Sequence, residues 1–169
     1  MRISCTIILI TLLSITKTYA QDSHNHHHER NEIGLSGGAI YGIDDKTWGT
    51  GIHLHYYRTL DDHSKWSVGA FAEQAWLEGN HFSVGAGVKF SPISRLHLGV
   101  LPGVTFAKHE HEHNGDVHDD GWKSDFSAHF ELVYDLFHWG KFHVGPAFDY
   151  SWSKDDSHFM LGIHAAIGF

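Results

Sequence analysis

The chain has almost none of what a disulfide-stapled, nucleic-acid-binding or helical membrane protein needs. Of its 169 residues one is cysteine, Cys5. Cys5 lies in a leading segment that reads as a removable export signal, so the rest of the chain is expected to have no disulfide, thiolate metal site or cysteine nucleophile. Positive charge is also scarce: 12 Lys plus Arg stand against 20 Asp plus Glu, and Arg2 and Lys17 leave with the signal, so 10 remain against 20. A formal charge of −10 makes nucleic acid a poor partner. Beyond the signal no apolar run approaches the ~20 residues of a spanning helix, and helical i, i+3, i+4 spacing is nowhere sustained.

The signal is read from Arg2, the apolar run Ile7 to Leu13, and the residues Thr18, Tyr19 and Ala20, with cleavage expected after Ala20. Cys5 precedes the apolar run instead of ending it, so the lipid-bearing cysteine of an anchored lipoprotein is not supplied. The organisation expected is a signal over 1–20, a His-rich leader over 21–31 and one domain over 32–169.

What the chain does contain is a period of two. Large apolar residues alternate with small or polar ones in eight segments. The first sets Ile33, Leu35, Ala39, Tyr41 and Ile43 against Gly34, Ser36, Gly38 and Gly42. The fourth sets Phe82, Val84, Ala86, Val88 and Phe90 against Ser83, Gly85, Gly87 and Lys89. The last sets Phe159, Leu161, Ile163, Ala165, Ile167 and Phe169 against His158, Gly162, His164 and Gly168. Turn clusters separate the segments, and one connection, His109 to Ser124, reads as a long loop. No repeat of 20 to 50 residues suggests a solenoid or propeller.

The two faces differ in a way that decides the environment. A core of Gly, Ser and His would pack badly, and an exterior of Phe, Leu and Val would aggregate in water unless lipid covered it. The large apolar face is therefore assigned to lipid and the polar face to the lumen. Trp48, Tyr56, Tyr57, Trp66, Trp76, Trp139, Tyr150 and Trp152 cluster toward segment ends, as interfacial belts do. Backbone groups in hydrocarbon must all be paired, which requires a closed sheet. The expectation is an all-β fold, an eight-stranded antiparallel up-and-down transmembrane β-barrel, its lumen filled by side chains. Pro102 and Pro146 fall mid-strand and would each remove a ladder donor; the adjoining Gly103 and Gly145 suggest bulges there.

These segments resemble the small eight-stranded outer-membrane β-barrels of Gram-negative bacteria, over roughly Asn31 to Phe169. The terminal run from Phe159 to Phe169 looks like the signature that the barrel-insertion machinery reads in that family. More narrowly, the His-rich leader before Asn31-Glu32-Ile33-Gly34, with Gly51-Ile52-His53-Leu54-His55-Tyr56, looks like an uncharacterised His-rich group of small exported barrels. The resemblance implies residence in outer-membrane lipid, both termini in the periplasm, the His109 to Ser124 segment outside the cell, and no catalytic motif. A monomer with no required cofactor is expected.

The compositional anomaly is histidine, 18 residues, none of them in the signal. His24, His26, His27 and His28 form a short tract in the leader, beside Asp22 and Glu29. His109, His111, His113 and His118 form a second with Glu110, Glu112, Asp116, Asp119 and Asp120. Alternate imidazoles and carboxylates of this kind could converge on Zn²⁺ or Cu²⁺. Such capture should weaken as pH falls through ~6.5, where histidine protonates. A third group faces the lumen: His53, His55, His97, His129, His143, His158 and His164, with Glu73, Glu131, Asp135, Asp149 and Lys89. Its plainest reading is a hydrogen-bonded plug, and its sharper one a metal or proton site.

The function expected from these residues is a non-enzymatic barrel that captures or senses transition metal ions. A structural or surface-interaction barrel is the alternative. A lipid-modifying hydrolase is a weaker third reading, resting on Ser127 with His129 or Ser157 with His158, neither inside a nucleophile motif.

Overall fold

The computed structural model describes residues 29–169 apart from 62, 63, 78, 114, 115 and 155, and over 108–121 it describes the backbone alone. The expected signal and the leader histidines His24, His26, His27 and His28 lie outside the described residues.

Among the described residues nine strands follow one another: β1 (Asn31–Gly42), β2 (Trp48–Thr59), β3 (Trp66–Trp76), β4 (Asn80–Ile93), β5 (Leu96–His113), β6 (Asp116–Tyr134), β7 (Phe137–Trp139), β8 (Phe142–Ser153) and β9 (His158–Gly168). Each pairs antiparallel with its neighbour in sequence, except that β8 takes both β6 and β7 along one edge. The short β7 therefore continues the wall that β6 begins, and the barrel has eight walls. Pairing of β1 with β9, from Glu32↔Gly168 to Gly42↔His158, closes the sheet. Among the described residues every barrel wall has a paired neighbour on both sides, as backbone groups in hydrocarbon require.

Alternation sorts the faces as expected. Phe82, Leu98, Phe130 and Ile163 are exposed on the outside, whereas His129 is fully buried and His97 nearly so within. The lumen is not wholly polar. Ile40, Ala75 and Met160 form one apolar cluster inside the barrel, and Tyr57, Phe71 and Leu101 form another. Tyr57, expected in an interfacial belt, is 1% exposed and points inward, because it shares the phase of His53 and His55 on β2.

Three further expectations change. The segment His109 to Ser124 is not a loop: β5 and β6 continue through it as a paired hairpin, with His111 opposite His118 and His113 opposite Asp116. Ladder hydrogen bonds come from the backbone and need no apolar face, so a polar alternating sequence extends a strand as well as it leaves one. A register shift between Lys108 and Glu110 marks where this extension departs from the barrel wall. Around Pro102 there is no bulge. Pairing of β4 with β5 lapses over Ala86 and Gly87 and resumes in the same register, Gly85↔Gly103 and Val88↔Val100. Glycine keeps the backbones close here, since a Cβ on Gly85 would stand 2.3 Å from the Pro102 carbonyl oxygen. Beside Pro146 one extra residue is accommodated, but on the opposite wall: β8 pairs Ala147↔Val133 with β6 and Val144↔Phe137 with β7.

Candidate functional site

One end of the barrel carries the first residues of β1, the last of β9 and the short turns after β2, β4 and β7. A cavity of about 620 Å³ opens there, with Glu32, Lys89, His97, Asp135 and His143 among its walls. From this mouth a column of imidazoles and carboxylates runs up the lumen. Ser91 Oγ meets His97 Nδ1 at 2.8 Å, and His97 Nε2 meets Asp135 Oδ2 at 3.0 Å. Lys89 Nζ donates to Glu32 Oε1 at 2.6 Å, and the His143 and His164 rings stand 5.7 Å apart. His164 Nε2 lies 3.3 Å from His55 Nε2. Gly34 makes that pair fit: a Cβ there would come within 2.2 Å of His55 Nε2 and 2.6 Å of His164 Nε2.

Above them His55 Nδ1 approaches Glu131 Oε1 at 3.1 Å. His53 Nδ1 faces Glu73 Oε2 at 3.4 Å, and Glu73 Oε1 meets His158 Nε2 at 3.1 Å. At the far end Asp156 Oδ2 lies 2.7 Å from His81 Nδ1 and 3.5 Å from His158 Nδ1. Asp156 sits in the turn between β8 and β9. Burial alone would raise its carboxyl, but contacts from His158 and His81 outweigh burial and hold it well below the usual carboxylate range.

The lumen thus brings together His53, His55, Glu73, His129, Glu131 and His164 near its middle, and His97 and His143 with Asp135 near the mouth. Asp149 is buried opposite Glu131 on the neighbouring strand. Among the described residues four overlapping groups place ligand atoms within 4.8 Å of one another: Glu32, His55 and His164; His53, His55 and Glu131; His53, Glu73 and His129; Asp135, His143 and His164. Sequence reasoning missed Glu32, Tyr57, His81 and Asp156. The first three carry the inward phase of their strands, which alternation alone would have revealed. Asp156 folds back into the lumen from a turn, and no periodic signal reports that.

Here His53 Nε2, His164 Nδ1 and both carboxylate oxygens of Asp149 are buried without a hydrogen-bond partner. Such atoms each cost about 1–3 kcal/mol. The hydrolase pairs do not assemble. Ser127 is fully buried and its hydroxyl has no partner. Ser157 Oγ donates to the Ser153 carbonyl, and the hydroxyl beside His129 Nε2 is that of Ser151, at 3.3 Å.

No protein-family model matches the chain, and no curated protein does. Solved structures do match in shape. The attachment invasion locus protein Ail of Yersinia pestis superposes with a TM-score of 0.62 at 18% identity, over 83% of this chain and 99% of that one. Neisserial surface protein A superposes at 0.56 and 8% identity, over 82% and 97%. The N-terminal β-barrel domain of Pseudomonas aeruginosa OprF superposes at 0.54 and 12% identity, over 84% and 99%. Identities this low speak to architecture and not to activity. Exterior, closure and these likenesses agree that the chain has the fold of the small eight-stranded outer-membrane β-barrels.

Proposed function

We propose that this protein is a non-enzymatic barrel of the outer membrane that captures or senses Zn²⁺ or Cu²⁺ through its His-rich leader and its β5–β6 hairpin. In this reading the signal directs export, the insertion machinery places the barrel in outer-membrane lipid as a monomer, both termini face the periplasm, and the hairpin rises outside the cell. The observation that supports metal capture most directly is the hairpin register, His111 opposite His118 and His113 opposite Asp116. Residues directly opposite on antiparallel strands have Cβ atoms about 4.5–5.5 Å apart. A paired hairpin also loses less conformational freedom on binding than a loose loop would.

The test is calorimetry with Zn²⁺ and Cu²⁺ on the folded protein in detergent, beside a form with the leader and hairpin histidines replaced by serine. Loss of binding sites on replacement supports capture there. Identical isotherms refute it. A surface-interaction barrel is the second reading, favoured by the height of the β5–β6 hairpin, whose strands outreach all others. It predicts a melting temperature that does not rise with free metal concentration.

A further inference from the structure

The middle of the lumen carries a second, independent inference. His55 Nδ1 and Glu131 Oε1 stand 3.1 Å apart as a buried imidazole–carboxylate contact. Two ligands of a tetrahedral ion with bonds of ~2.0–2.1 Å stand roughly 3.3 Å apart. His53 joins them, with ligand atoms of all three residues within 4.8 Å of one another. Its Nδ1 faces Glu73, which leaves Nε2, buried and without a partner, as its available nitrogen.

The atoms of these side chains that face away are already held. Glu131 Oε2 accepts from the Tyr57 hydroxyl at 2.9 Å. His53 Nδ1 has the Glu73 carboxylate at 3.4 Å, and His55 Nε2 has His164 Nε2 at 3.3 Å with Glu32 Oε1 3.6 Å away. A polar partner on the non-ligating nitrogen of an imidazole, and a hydrogen bond on the spare oxygen of a ligating carboxylate, are the supports that fix metal ligands in place. Asp149, opposite Glu131 in register, is 2% exposed with both oxygens unpartnered.

We infer that His53, His55 and Glu131 form a resident site for one divalent transition-metal ion at the centre of the barrel. Two imidazoles and one carboxylate, with no thiolate and a water completing the set, suit Zn²⁺ or another first-row divalent ion. The ion would sit among three buried carboxylates, Glu73, Glu131 and Asp149. It enters from the 620 Å³ cavity. Glu32 lines that cavity and touches His55, and His164 belongs to both of the ligand groups lying between cavity and centre. The site uses no residue of the leader or hairpin.

The test uses full-length protein with the leader and hairpin histidines replaced by serine, refolded in detergent and stripped with chelator. Titration with Zn²⁺ should show one ion per chain, and Co²⁺ should give the visible absorption of a four-coordinate N/O site. Adding Glu131→Gln or His55→Gln should abolish both signals, and Tyr57→Phe should weaken Zn²⁺ binding about 10- to 100-fold. Absence of stoichiometric binding in the serine background overturns the site, as does unchanged binding in both glutamine variants when gel mobility shows them folded. If Glu131→Gln does not fold, His55→Gln and the Co²⁺ spectrum decide. Binding by the native chain that vanishes in the serine background removes the central site and keeps capture at leader and hairpin. Equal single-ion binding by both forms does the reverse.

Discussion

The Tyr57 hydroxyl donates a 2.9 Å hydrogen bond to Glu131 Oε2, joining β2 to β6 across the lumen. The two residues are 74 apart in sequence, and neither strand pairs with the other in the sheet. The contact acts as a strut between opposite walls. It also turns Oε1 of the same carboxylate toward His55. Lys89 Nζ lies 4.5 Å from the centre of the Tyr57 ring, so the strut connects the polar column to the cations at the mouth.

Replacing Tyr57 by phenylalanine keeps the ring and leaves a buried carboxylate oxygen without its donor. The expected loss is about 1–3 kcal/mol of stability. Reversible urea unfolding in detergent or lipid vesicles, followed by tryptophan fluorescence, would measure it. A loss near zero would mean that water reaches Glu131.

Asp156 should make stability depend on acid in a defined direction. Its carboxyl is held below the usual range by His158 and His81, so it contributes stability that is fully present above the unfolded value of about 3.9 and is lost as pH falls through its folded value. Asp156→Asn should therefore unfold at a lower temperature than the native chain at pH 7, and the two should converge as pH drops below about 4. Heat-modifiable gel mobility at pH 7, 5 and 3 gives the comparison. A gap that widens in acid would contradict the assignment.

Gly34 is set by space. Alanine there would put a methyl group within 2.2 Å of His55 Nε2 and 2.6 Å of His164 Nε2. Overpacking of this kind costs typically about 1–3 kcal/mol. Gly34→Ala should lower the unfolding midpoint, and adding His164→Ala should restore part of it by vacating the crowded ring. Failure of that rescue would show that the strain lies in the backbone.

Leu54 reports on lipid contact. It lies midway along β2, exposed on the outer face, opposite Leu35 and Ala72. Leu54→Arg should cost about 2–4 kcal/mol for folding into bilayers, as an arginine near the midplane of a barrel does. On a barrel surrounded by water the same change would be close to neutral, so the folding yield into vesicles separates the two environments.

Much of this architecture is legible along single strands. Alternation of Leu54 with His53 and His55, or of Phe130 with His129 and Glu131, assigns each residue to lipid or lumen without knowledge of any other strand, because pleating turns successive side chains to opposite faces. The same local rule extends to Tyr57, where aromatic character argued for a belt and strand phase argued for the interior. Phase prevailed because a belt is a preference of a side chain, whereas the pleat is a constraint of the backbone. The β5–β6 hairpin was not legible, since its histidines and carboxylates satisfy the composition of a loop and the alternation of a strand equally well.

By itself the sequence determined a closed lipid-facing barrel with histidines and carboxylates inside, because a period of two, carried through eight segments with one greasy face, admits no other arrangement that pairs every backbone group in hydrocarbon. Only the tertiary structure decided which of those inward residues meet. Whether His55 faces Glu131 or Asp149, and whether Asp156 reaches His81, depends on the stagger accumulated around the whole sheet. That stagger is the sum of every register and of the shifts beside Lys108, Phe90 and Pro146, and no single strand contains it.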